Sequence, residues 1–207
     1  MDTPWPVQLA DWRRRVAEMY AQLRDGGDDP AATARFRAAR DELVATHPQS
    51  PLDEAARAAF RGLPYFPHRP ELRVSAPLEP DPAPAALELP LSTGPAIRFD
   101  RVGWVTPTLA GTAVRLAVYW LDAYSGGLFL PFRDTLAGDR TYGGGRYLLD
   151  TAKGADLGVT ATGELILDFN AAYQPSCSYS VRWSCPLAPP ENHVPIPIPA
   201  GERLAWA

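Results

Sequence analysis

Leu9, Trp12, Val16, Met19, Tyr20 and Leu23 recur at steps of three and four residues, so one side of a helix becomes apolar while Arg13, Arg14 and Arg15 are left to a solvated face. Gly26 and Gly27 end the pattern. Asp29 before Pro30 marks a second start, because proline at the first helical position has no amide hydrogen to leave unpaired. Ala32, Phe36, Ala39 and Leu43 trace that helix's buried stripe. Ser50-Pro51 predicts a third, short helix capped by Ser50, with Asp53 and Glu54 near the positive end of its dipole.

From Gly62 the periodicity changes. Pro64, Pro67, Pro70, Pro77, Pro80, Pro82, Pro84, Pro90 and Pro95 exclude helix and leave room only for short or edge strands, and Tyr65 and Phe66 are expected to anchor an extended connector. Period two then takes over. Residues 97–106 and 112–121 flank a tight Leu-Ala-Gly turn, and Val114, Leu116, Val118 and Trp120 alternate with Arg115, Ala117, Tyr119 and Leu121, which predicts a hairpin. Turns at Ser125-Gly126-Gly127, at Gly143 to Gly145 and at Thr162-Gly163 separate LFLPF, RYLL and ELILDF without helix-length spacers. Successive strands are therefore expected to be antiparallel. The predicted fold class is α+β: a curled antiparallel β-sheet, either barrel or sandwich, with N-terminal helices packed at one side. Residues 1–61 would be the helical segment and residues 62–207 the β core with connector and C-terminal arm, all one cooperative unit.

Composition narrows the partners. With 207 residues and 46% hydrophobic content the chain can bury a sizeable core, and its net charge of -4 lacks the clustered positive field that nucleic acid requires. Lys153 is the sole lysine among 20 basic residues, a bias read as compositional. The chain starts without a basic-then-apolar leader and holds no apolar run long enough to span a bilayer, so a cytoplasmic protein without membrane partners is expected. His47, His68 and His193 are scattered and the two cysteines, Cys177 and Cys185, are far from zinc-ligand spacing, so no metal is expected. The cysteines remain open to three readings: inert thiols, a disulfide worth about 2 to 3 kcal/mol in the chain-entropy picture, or a catalytic thiol, with His193 the nearest histidine in sequence.

Candidate chemistry gathers in the second half. In residues 164–170 Leu165, Leu167 and Phe169 face one way, and Ile166, Asp168 and Asn170 the other. Asp168 and Asn170, with Tyr173 close behind, can orient a substrate or accept a proton; equally, Asp168 can pair with Arg133 or Arg146 and pin the arm. Tyr142, Gly143, Gly144, Gly145 and Arg146 form a glycine loop beside an arginine, either an anion-binding nest or a bulge that lets the sheet curve. It is neither a Walker loop nor a dinucleotide fingerprint. Glu191 and Asn192 stand on a proline-stiffened arm that either presents them to a pocket or straps the core.

Three readings follow. In the first, Arg133, Tyr142, Gly144, Arg146, Asp168, Asn170, Tyr173, Glu191 and Asn192 converge on a pocket for a small polar or anionic molecule, in either a binding protein or an enzyme. In the second, the same residues are a closed buried network in a structural or interaction module. The third, a small barrel that binds a flavin or nucleotide, rests on fold analogy. No motif names a cofactor.

The stretches SPLDEAARAAFRGLPYFP (residues 50–67), GLFLPFRDTLAGDRTYGGGRYLLD (127–150), KGADLG (153–158) and LILDFNAAYQPSCSYSVRWSCPLAPPEN (165–192) resemble the bacterial and archaeal family catalogued as domain of unknown function 1684. The resemblance spans most of the chain beyond residue 40 and implies no activity. Where the family pattern carries an arginine after Glu-Asn, this chain has His193.

Overall fold

A computed structural model describes residues 3–204. Met1 and Asp2, and the last three residues of the expected β unit, lie outside the described residues. Helix α1 (Trp5–Gly26) buries Val16, Met19, Tyr20 and Leu23, and helix α2 (Pro30–Thr46) buries Ala32, Phe36 and Leu43. Asp29 caps α2 by accepting from the Ala31 amide at 2.9 Å. The third helix departs from expectation. α3 (Glu54–Ala59) is capped by Asp53, which accepts from Ala56 N–H at 2.8 Å. The Ser50 hydroxyl instead donates to the Val44 carbonyl (2.6 Å) and accepts from the Leu52 amide (3.2 Å), so it closes the turn that leaves α2.

The strands are β1 (Arg73–Ala76), β2 (Glu79–Leu89), β3 (Ile97–Val105), β4 (Thr108–Leu109), β5 (Thr112–Ala113), β6 (Leu116–Leu121), β7 (Leu128–Phe132), β8 (Arg146–Asp150) and β9 (Leu165–Asp168). Every strand pairing is antiparallel. Five strands form one sheet in the order β2-β3-β6-β7-β8, β1 pairs with β9, and β4 with β5 make a small ribbon. β2 carries Pro80, Pro82 and Pro84 because it is an edge strand, where a missing amide hydrogen costs no ladder bond; its register breaks between Pro80 and Ala85. The predicted hairpin is the β3–β6 pair, and its tip is the β4–β5 ribbon, which turns at Ala110 (φ 48°) and Gly111 (φ 80°).

The sheet stays open: it ends at β2 and β8, so the barrel form of the expectation gives way to layers. On one face Leu116, Val118, Leu130, Phe132 and Leu148 pack with Ala76, Leu165, Leu167 and Phe169 of the β1–β9 side. On the other, Ala117, Tyr119, Phe129 and Tyr147 pack with Val16, Tyr20, Leu23 and Phe36 of the helices. Because both faces are covered, Leu116 to Tyr119 are buried in succession where a one-sided strand would alternate. After β9 the chain runs as an arm of single bridges and short turns, touching β8 at Tyr173 and the connector at Glu202. No helix among the described residues is long and apolar enough to cross a membrane.

Candidate functional site

The polar residues singled out in the sequence do not converge but occupy separate settings. Arg146, at the start of β8, is fully buried and lies against the arm. Its guanidinium donates to the carbonyls of Ala200, Ile198 (2.9 Å) and Glu202 (3.2 Å) and sits 3.5 Å from Asp134. Burial pulls its pKa down and Asp134 offsets part of that, yet arginine remains charged at neutral pH. The glycine loop is therefore a docking point for the arm. Ala188 N–H donates to Gly144 O, and a side chain on Gly145 (φ 96°) would run into the Phe132 carbonyl at 2.6 Å.

The expected Arg146–Asp168 cluster does not form. Asp168 pairs with Arg73 at 3.0 Å, its partner across the β1–β9 ribbon, and accepts from Asn170 through both backbone and side chain at 2.9 Å. Asn170 in turn accepts from Arg69 N–H and donates to its carbonyl, each at 2.8 Å. Strand pairing brings Arg73 to Asp168, a proximity that spacing in the sequence does not encode.

Asn192 serves as a surrogate piece of strand. It accepts from Ala117 N–H (2.7 Å) and donates to the carbonyls of Ala117 (2.9 Å) and Pro131 (2.7 Å), bridging β6 to β7. Glu191 accepts from the Tyr119 hydroxyl at 2.9 Å. Arg133 is exposed, with its backbone bridged to the arm at His193. Of the nine candidates, only Tyr173 lies against a cavity beneath the helices, where its hydroxyl donates to Asp150 at 3.3 Å.

That cavity belongs to a group the sequence reading missed. Three neighbouring cavities share Lys153, which follows β8 and is held by Asp150 at 2.9 Å. The inner one, about 50 Å³, is lined by Tyr20, Arg40, Tyr147, Tyr173 and Tyr179. At its side Arg40 pairs with Glu202, and the Tyr179 hydroxyl donates to the same carboxylate at 2.6 Å. Burial works against the Arg40 charge, but Glu202 together with Tyr65 and Tyr179 outweighs it and the pKa rises well above the usual arginine value. An outer cleft of about 250 Å³ has walls of Ile97, Phe99, Leu121, Leu128 and Phe129, with Arg13, Asp150 and Lys153 as its charged groups. The third, about 170 Å³, adds Trp12, Trp183 and Cys185 beside Arg13 and Lys153.

Arg13 separates from its neighbours here. Arg14 and Arg15 are spent on Asp11 and Glu18 at the surface, whereas Arg13 forms no ion pair among the described residues and lines both outer clefts. A lone lysine in an arginine-rich chain was the available signal, and general composition concealed it.

The cysteines are free and adjacent. Cys177 is partly exposed, its amide points at the Cys185 sulfur at 3.3 Å, and its own sulfur lies 3.6 Å from the Tyr142 hydroxyl. The Cys185 thiol, then Ser92 and Tyr142, bring the Cys177 pKa down to about 6 against opposing burial, while Cys185 is pushed up. Among the described residues no group of three or more His, Cys, Asp or Glu side chains is placed to hold a metal ion.

Fold and site together define an α+β protein built on an open five-stranded antiparallel sheet, with a helical layer over clefts at one face. The chain belongs to the family described as "Protein of unknown function (DUF1684)", whose model matches residues 58–203. It is similar to the solution NMR structure of an uncharacterized protein from Haloarcula marismortui: 34% identity, a TM-score of 0.61, and coverage of 83% of this chain and 91% of that one. No curated protein matches the chain.

Proposed function

We propose that this protein binds a small organic monoanion, a carboxylate with an apolar body, in the outer cleft beneath α1. Arg13 and Lys153 hold the anionic group, and Phe99, Leu121, Leu128 and Phe129 pack against the body. The observation that carries this reading is the convergence of the sole lysine and an arginine without an ion-pair partner among the described residues on one apolar-walled cleft. With Asp150 included, the cleft's three ionisable groups sum to one positive charge, which suits a monoanion. A volume of about 250 Å³ falls just below the usual range of drug-sized pockets, roughly 300–1,000 Å³, so the ligand is small.

A second reading is a non-catalytic structural module. It is favoured by the closure of the Arg146, Asp168 and Asn192 clusters, in which both terminal nitrogens of Arg146, the Asp168 carboxylate and the Asn192 amide are engaged by the arm or a neighbouring strand. The two readings concern different parts of the molecule, and the clusters serve as scaffold in both. A titration with 1-naphthoate and its neutral twin 1-naphthalenemethanol, followed by amide chemical shifts and tryptophan fluorescence, separates them. Binding of the anion only, weakened about tenfold by Lys153→Gln or Arg13→Gln, is expected from the loss of one charge-assisted contact of roughly 1.5 kcal/mol. Equal binding of both probes, or indifference to both substitutions, would refute the anion reading.

A further inference from the structure

The loop of residues 176–186 is held from several sides. The Arg182 side chain donates to the carbonyls of Ser50 (2.7 Å) and Leu52 (3.1 Å), Trp183 donates to Pro51 O at 3.0 Å, and Ser92 N–H donates to Cys185 O at 2.9 Å. These contacts fix Cys185 while its sulfur accepts from the Cys177 amide. The two sulfurs differ in setting. Cys185 is buried, whereas Cys177, on the turn Ser176–Ser178, is partly exposed and touches the Tyr142 hydroxyl. Cys177 is thus the more open of the two to a solvent-borne oxidant, while Cys185 shows only a small part of its surface, at the wall of the third cleft.

We propose that Cys177 and Cys185 form a reversible thiol–disulfide couple that takes a hydroperoxide as oxidant, with Cys177 as the attacking sulfur and Cys185 as the resolving one. The Cys177 thiolate attacks a peroxide oxygen; the O–O bond breaks, the leaving hydroxide becomes water by taking a proton from solvent, and Cys177 becomes a sulfenic acid. The Cys185 sulfur then attacks Cys177; the S–S bond forms, the S–O bond breaks, and hydroxide leaves as water with the Cys185 proton. Two thiols lose two electrons and hydrogen peroxide is reduced to two waters. The Cys177 thiol donates to the Tyr142 hydroxyl at 3.6 Å; once the thiol ionises, that hydroxyl can turn and donate to the thiolate, and the low pKa of Cys177 fits the attacking role. The couple does not rest on the ligand reading, and its test needs no ligand.

The full chain, reduced and then treated with one equivalent of hydrogen peroxide, should lose both thiols together and a mass of two hydrogens, and dithiothreitol should restore both. Cys185→Ala should stop at a Cys177 sulfenic acid that dimedone traps. At pH 7 iodoacetamide should label Cys177 of the unsubstituted protein at least about tenfold faster than Cys185. Thiols that survive the oxidant, oxygen addition without a bridge, or equal labelling rates would overturn the proposal, and the first and third measurements require no variant to fold.

Discussion

Replacing Arg146 with methionine keeps a side chain of similar length in β8 and removes the guanidinium. Four acceptors then lose their donor: the carbonyls of Ala200, Ile198 and Glu202, and the Asp134 carboxylate. Breaking a buried pair from one side costs about 3–5 kcal/mol, chiefly because the remaining charge stays buried. Asp134 keeps the Ile198 amide at 2.7 Å, which favours the lower half of that range. For a chain of this size each kcal/mol moves the melting temperature by about 2–4 °C, so a fall of roughly 10 °C is expected. Urea unfolding followed by far-UV circular dichroism and by tryptophan fluorescence measures the change, with coincident curves as the condition for reading it as a free energy. Arg133→Met, at an exposed site, is the control and should stay within about 0.5 kcal/mol. Adding Asp134→Asn to Arg146→Met should recover part of the loss. A single variant within 1 kcal/mol of the parent, in the sense of the buried-pair cost of about 3–5 kcal/mol, would refute the reasoning, as would a double variant no better than the single.

Asn192→Ala leaves the amide and carbonyl of Ala117 and the carbonyl of Pro131 unpaired in the interior, and should cost about 2–4 kcal/mol in urea unfolding, far more than Glu191→Ala. The Asp81 carboxyl is held below its ordinary value of 3.8 by Arg101 and the Ala83 amide, against opposing burial. A folded-state pKa below the unfolded one gives stability that is complete above the ordinary value and disappears as the pH falls through the folded one. Asp81→Asn should therefore lower the melting temperature at pH 6 and have little effect at pH 2; an equal decrement at both would contradict the ion pair.

The helices were legible because their stripes are local: Val16 to Leu23 and Ala32 to Leu43 record a three-to-four residue period that survives any tertiary context. The proline run was also readable, since Pro80, Pro82 and Pro84 tolerate only an edge position and β2 has one. Alternation failed in β6, where helices on one face and the β1–β9 ribbon on the other bury every residue from Leu116 to Tyr119. Polarity told that Arg146 and Asp168 need partners. It did not tell which, because Arg73 meets Asp168 by the β1–β9 register and Asp134 meets Arg146 by following β7, whose last residue Phe132 pairs with Arg146. Arg13 was hidden by its neighbours, since three arginines in a row read as one solvated face until helix packing turns the first toward the clefts.

Arg40 and Glu202 are 162 residues apart, and Arg146 waits on carbonyls of residues 198–202. Helices and sheet can collapse before that segment docks, but neither guanidinium can give up its hydration until its acceptors arrive. An undocked arm would leave both cations hydrated, Arg40 on α2 and Arg146 at the start of β8, and docking is what dries them. Loop entropy grows only slowly with separation, so the long span is a modest obstacle next to the cost of drying an unpaired cation. Two arginines placed far from their partners in sequence make premature closure unfavourable, which ties the order of folding events to charge as well as to apolar burial.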